Sequence, residues 1–444
     1  MTTNEFEAAF RKGHGRAWLH VKWLNGDDAS IRKILERGSV EILSYDPQCE
    51  GDRSQWVYKM LMMTDYPQHF EKHIIDNLRD RKIDDSWDVS HAASLLACYA
   101  QDGSEEARTS LNECFVRSES NAFWVIGHPI IEANGLSGFL SLARQIGEKL
   151  VSDEDCSDDE CLLFHAIELH GEDEVLDKFK KAANTCEYVD RYYNEVFPQY
   201  KERIKRLARK KGKKRTREER RLMFHYSLEE VLEELELAEK KFPAFFMRFG
   251  DLASDREVEK VITHLEKEQR TDQLIRYAWI FRRRYSHGEN PMPERLLVRL
   301  LELLTYDDKA LISAVSYSLT KVCDERIRKI AKERFMSDSK RHFPVFVELM
   351  ESSAKQEDTE EIANFFEKMP RDLDDEEVHS IIMDLIKMVE NLEMDSHLQR
   401  ILNHSYYWTP CGMCRDSIYQ LLYRSGRLSA NMAHEQRHDA YQRE

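Results

Sequence analysis

A chain of 444 residues is too long for one ordinary compact core, so it forms either several globular domains or an extended stack of small units. Hydrophobic residues at 41 % and charged residues at 33 % allow folding but exclude a membrane protein, and no stretch approaches the roughly 20 apolar residues of a membrane span. Scarce glycine (16) and proline (10) argue against sheet-rich and doubly wound folds, and the net charge of -16 sets most of the surface against nucleic acid and anionic membranes.

In chain order, the first marked feature is a polar turn, Tyr45-Asp46-Pro47-Gln48-Cys49-Glu50-Gly51-Asp52-Arg53, ahead of an apolar helix over Trp56 to Met63. Asp46-Pro47 and Glu50-Gly51 carry turn chemistry, and Arg53 is placed to pair with Asp46. The segment Trp87 to Cys114 reads as two short amphipathic helices around Asp102-Gly103, with Ala92, Leu95, Leu96 and Tyr99 on the first and Ala107, Leu111 and Phe115 on the second. Residues 152–160 hold six acidic groups and no basic one, a solvated loop or a helix start whose carboxylates suit the N-terminal dipole. His165-Ala-Ile-Glu168-Leu-His170 is neither H-E-x-x-H nor H-x-x-E-H, so the metalloprotease reading is rejected.

Residues 201–221 carry thirteen Lys or Arg against three Glu, leaving the remainder at about -26. Apolar periodicity fades after Ala208 and Gly212 follows, so residues 201–226 are expected to be a helix end and mobile linker. It divides an N-terminal helical array, 1–200, from a C-terminal one, 227–444. Arg203, Lys205, Arg206, Arg209, Lys210, Lys211, Lys213, Lys214 and Arg215 form the strongest candidate for contact with nucleic acid, since each neutralised phosphate releases counterions. Tyr192, Tyr193, Tyr200, Phe224 and Tyr226 lie nearby for base stacking. The acidic helix that follows, from Glu229 to Glu239, could neutralise the run within the same molecule. Arg282, Arg283 and Arg284, on a helix with Ile275, Trp279 and Phe281, are a second basic patch that would line the same groove.

Between Asp307 and Phe335, Ala310, Leu311, Ala314, Val315, Leu319 and Val322 recur at helical spacing, break at Cys323-Asp324, and resume with Ile327, Ile330, Ala331 and Phe335. Two such helices cannot bury their apolar faces alone and need neighbours. Further pairs follow at Val345 to Met350 with Ile362 to Phe366, and at Val378 to Leu392 with Ile418 to Leu422, roughly 35 to 45 residues apart. With Ala314 in the first helix, Asp324 at the turn and Arg328 after it, the chain resembles the HEAT-repeat family. That resemblance implies an all-α fold, an α-α superhelix or solenoid of stacked antiparallel helix pairs with a curved binding surface, as in HEAT and armadillo proteins. Many members are scaffolds or adaptors, and a minority bind DNA, among them repair glycosylases.

At the C-terminal end Cys411 and Cys414 form a C-x-x-C, and His434 and His438 an H-x-x-x-H some twenty residues later. Four such ligands could close a structural zinc site; the competing reading is buried thiols in a terminal repeat with surface histidines. Tyr407 to Arg415 also repeats the aromatic, Pro, Cys and Arg of Tyr45 to Arg53, and both stretches mark repeat starts. The nine cysteines, an odd number, form no disulfide framework, and the opening residues lack an apolar run of signal-peptide length, so reduced thiols and a cytoplasmic address are expected. No phosphate-cradling glycine loop or nucleophile elbow is present. The expected function is therefore a non-enzymatic scaffold for a protein partner. Its alternatives are a nucleic-acid-binding solenoid using residues 201–221 and a DNA-repair glycosylase-like enzyme.

Overall fold

The computed structural model describes all residues except 25–27, 48–49, 51–52, 120–121, 153–159, 212–225, 238–242, 286–290, 336–338, 370–372 and 443–444. The acidic run at 152–160 thus falls almost wholly outside the described residues. Among those described the chain is all-α, with 24 α-helices and no strand. It separates into two compact units. Unit 1 is Met1–Lys213 with Pro410–Asp416 and Ser429–Glu444; unit 2 is Lys214–Thr409 with Ser417–Leu428. The division at Lys213 falls inside the stretch expected to be a linker, but the last residues belong to the N-terminal unit, where the sequence placed all of 227–444 in one C-terminal array.

Unit 1 contains α1 (Thr3–Arg11), α2 (Gly15–Lys22), α3 (Ala29–Val40), α4 (Arg53–Leu61), α5 (Pro67–Asp80), α6 (Trp87–Gln101), α7 (Glu105–Arg117), α8 (Phe123–Ser152), α9 (Cys161–His170), α10 (Glu172–Ala183) and α11 (Glu187–Lys211). Local sequence sets the starts. Ser86 and Ser104 accept hydrogen bonds from Val89 N and Ala107 N at 3.4 and 3.1 Å, satisfying amide groups that a helix start leaves unpaired. Alternate helices then pack on one another: α1 on α3, α3 on α5, α5 on α7, and in a second layer α2 on α4, α4 on α6, α6 on α8. The apolar core between them includes Phe10, Trp56, Phe70, Leu96, Phe115 and Phe139.

The end of the chain closes one side of this unit. α24 (Ala430–Gln436) packs on α2, and the turn between α1 and α2 is held from three directions. Arg415 Nη2 donates to Lys12 O at 2.9 Å, Arg53 Nη2 to Phe10 O at 2.6 Å, and Gly15 N to Asp439 Oδ1 at 2.5 Å. Arg415 also pairs with Asp439 at 2.5 Å, and both are buried. Only glycine fits here: Gly13 has φ +67°, and a Cβ on Gly15 would lie 1.9 Å from Glu435 O.

Unit 2 contains α12 (Leu228–Glu236), α13 (Pro243–Leu252), α14 (Asp255–Leu265), α15 (Thr271–Arg284), α16 (Glu294–Leu303), α17 (Lys309–Leu319), α18 (Glu325–Ile330), α19 (Ser339–Met350), α20 (Thr359–Phe366), α21 (Asp375–Glu390) and α22 (Ser396–Trp408). α18 runs on into a π-helical turn, Ala331–Phe335, and α23 (Gly412–Arg424) crosses the division between units. Again alternate helices pack: α13, α15, α17, α19 and α21 form one successive row. α14, α16 and α18 each pack on the next helix of that row. Ser227, Ser254 and Asp374 build capping boxes with Glu230, Glu257 and Glu377.

Candidate functional site

The exposed edge of the row formed by α15, α17, α19 and α21 carries a cluster of charges. Arg282, near the end of α15, lies with its guanidinium carbon 3.2 Å from the ring centroid of Tyr317 on α17, and that ring is 41 % exposed. One turn further along, Lys321 pairs with Glu351, whose carboxylate has 0 % exposure. Lys387 on α21 reaches the other Glu351 oxygen at 3.4 Å and Asp384 Oδ1 at 3.0 Å. Asn391 Nδ2 donates to the Glu351 carbonyl at 3.3 Å, and the Ser316 hydroxyl donates to Glu348 on α19.

Burial decides the protonation states. Removal from water, with the Asp384 and Glu351 carboxylates nearby, pushes Glu348 up to about 8 despite Ser316 and Arg282. It therefore holds its proton at neutral pH. Burial also raises Asp384, against the pull of Lys387. Burial would lower Lys387, but Asp384 and Glu351 outweigh it and hold the ammonium above its usual range. Arg282, Lys321 and Lys387 thus share one face with three buried acids, of which Glu348 keeps its proton at neutral pH. Neighbouring acids in different environments suit acid–base chemistry, yet here Glu351 is enclosed by the two lysines and Glu348 is buried. The acids hold the cations in place.

The residues singled out from sequence are dispersed. Arg282 joins this face and Arg283 beside it is exposed, but Arg284 is buried and donates to Gly250 O at 3.2 Å and Ala253 O at 2.7 Å, with Asp255 as counter-ion. Arg203 lies over the Phe164 ring at 4.3 Å and pairs with Glu160 at 3.2 Å. Lys205 and Arg206 are exposed on α11, which extends to Lys211 and so includes Arg209 and Lys210. Lys213, Lys214 and Arg215 lie outside the described residues. Tyr192 and Tyr200 are buried, which removes them as stacking surfaces.

Cys411 and Cys414 are buried thiols, not joined in a disulfide, at the start of α23. His438 stacks on Trp18 at 4.3 Å with an interplanar angle of 5°, and His434 on Trp23 at 6.2 Å. Among the described residues no set of three ligands joins the two cysteines to either histidine. Arg53 takes Glu50 where the sequence offered it Asp46.

Sequence reasoning passed over Glu348, Glu351, Asp384, Tyr317, Lys321 and Lys387. A signal existed: Glu348 interrupts Val345 to Met350 and Asp384 interrupts Ile381 to Val389, and a lone acid in an apolar run needs a partner. The chain matches no protein-family model, no curated protein and no solved structure.

Proposed function

We propose that the protein is a scaffold of stacked helix pairs of HEAT type, and that the α15–α17–α19–α21 face of unit 2 takes an acidic segment of a protein partner. The observation that carries this reading is the Arg282–Tyr317 pair beside Lys321 and Lys387. Arg and Tyr are the residue types that dominate interface energetics, and cations already fixed by buried acids lose little freedom on binding. The alternate packing of helices supports the repeat reading, because it is what stacked pairs produce.

The test is affinity capture from native extract with the intact chain and with a Tyr317→Ala, Arg282→Glu variant, each with and without nuclease, followed by reconstitution with the purified partner. A protein retained after nuclease and recovered at least about tenfold less by the variant is the expected result. Recovery that depends on nucleic acid would instead favour the basic segment after Arg203, and recovery indifferent to the variant would move the interface elsewhere.

A further inference from the structure

Unit 1 contains a cavity of about 310 Å³ that belongs to neither the proposed partner face nor the basic segment. Its floor is one stripe of α6, with Trp87, Ser90, Ser94, Cys98 and Gln101 at steps of three or four residues. That stripe spans roughly 20 Å of helix at 1.5 Å per residue, so the cavity is a trough and not a bowl. Ile42 and Pro47 give it an apolar wall, and Trp87, half-exposed, lies at its mouth.

Several polar groups along it present acceptors. His91 Nε2 is 2.9 Å from the Gly38 carbonyl, which can only accept, so the ring proton sits there and Nδ1 accepts from the Ser54 hydroxyl at 3.0 Å. Burial holds His91 down at about 4, which keeps the ring neutral. The Ser54 oxygen therefore faces the trough with lone pairs. Gln101 Nε2 donates to the Glu132 carbonyl at 3.0 Å, leaving its own side-chain oxygen as an acceptor. The Glu132 carboxylate lines the same end, with His165 Nε2 at 3.2 Å. The side-chain hydroxyls of Ser90 and Ser94 make no hydrogen bond among the described residues. Arg53, the cation of this wall, is committed to buried Glu50 and to the Phe10 carbonyl.

We propose that this trough binds a linear aliphatic polyamine, with one ammonium at Glu132 and Gln101, the methylene chain along Ile42 and Pro47, and further ammonium groups at the serine oxygens and over Trp87. An ammonium brings three donors and no acceptor, which is the complement of this lining, and a chain of methylenes fits a trough that a flat ring or a branched sugar would not fill. An indole at the mouth adds a face for a cation.

An acidic chain attracts polycations without any site, so the test separates the trough from the general field. Spermidine is titrated calorimetrically at physiological salt into the full chain, into Glu132→Gln and into Ser94→Phe, with 1,8-octanediol as an uncharged probe of similar length. One site per chain is expected, weakened about tenfold by Glu132→Gln, the size of one charge-assisted hydrogen bond, lost in Ser94→Phe, and absent for the diol. Equal spermidine heats in all three proteins, no heat in the full chain, or diol binding as tight as spermidine would each overturn the proposal. Glu132 is exposed, so that variant keeps the test decisive if phenylalanine at 94 prevents folding.

Discussion

At the scale of single residues, the most consequential contact is a pair far apart in sequence. Arg415 is fully buried, and its guanidinium serves Asp439 and the carbonyls of Lys12 and Gly13 together. Burial pushes the Asp439 carboxyl up even with Arg415 against it, so removing the arginine strands an acid that water cannot reach. Arg415→Met should destabilise unit 1 by roughly 3–5 kcal/mol, and adding Asp439→Leu should restore a good part of the loss. Urea denaturation followed by tryptophan fluorescence measures both, and a single variant as stable as the parent would show that the pair carries no such role. The tandem likeness of Tyr45–Arg53 and Tyr407–Arg415 was visible in the sequence. Its purpose was not, because both arginines reach the same turn only once the chain has folded back.

At the scale of helices, a recurring device is an arginine that donates to carbonyls at, or within three residues past, the C-terminal end of a helix 28 to 43 residues earlier. Arg117 does so at Leu78 and Arg79, Arg276 at Leu235 and Leu237, Arg299 at Glu268 and Arg334 at Tyr306. Those carbonyls lack partners within their own helix, and a cation there also suits the dipole. Helix positions were legible because apolar spacing and Ser or Asp caps are local, as at Asp308 and Asp324. The destinations of Arg284 and Arg328 were not. A basic run reads as a surface patch, whereas Arg284 is buried and Arg328 is bound to Asp358, a carboxyl that burial would raise but that Arg328 and Lys332 hold down at about 2.

The same scale governs the acid of α19. Glu348 carries a folded pKa of about 8 against an ordinary 4.5, so its contribution to stability is intact below pH 4.5 and is lost as pH rises toward 8. Glu348→Gln keeps an acceptor for Ser316 and cannot ionise. Relative to the parent, the variant should gain about 2 kcal/mol between pH 5 and pH 7 in urea denaturation. Parallel stability curves would mean that Glu348 titrates normally.

At the scale of the whole molecule, the make-up of unit 1 assigns a definite role to the last sixteen residues. Trp56 Nε1 donates to His438 O at 2.7 Å, and Ala440 N to Gly13 O at 2.8 Å. Deleting 429–444 should raise hydrogen exchange across α2 and the first turn of α4 while leaving the amides of α15 to α21 unchanged. Protection kept in α2 after the deletion would show that the N-terminal unit is complete without its tail.

That arrangement also bears on synthesis. The eleven described helices from α1 to α11 leave the ribosome before any of unit 2, yet the piece that covers Gly15 and the face of Trp18 is translated more than 200 residues later than α11. At 5–20 residues per second the interval is on the order of ten to forty seconds. During it the nascent N-terminal unit lacks the partners of the Gly15 amide, the Trp56 indole N–H and the Trp18 ring face, a surface suited to a chaperone.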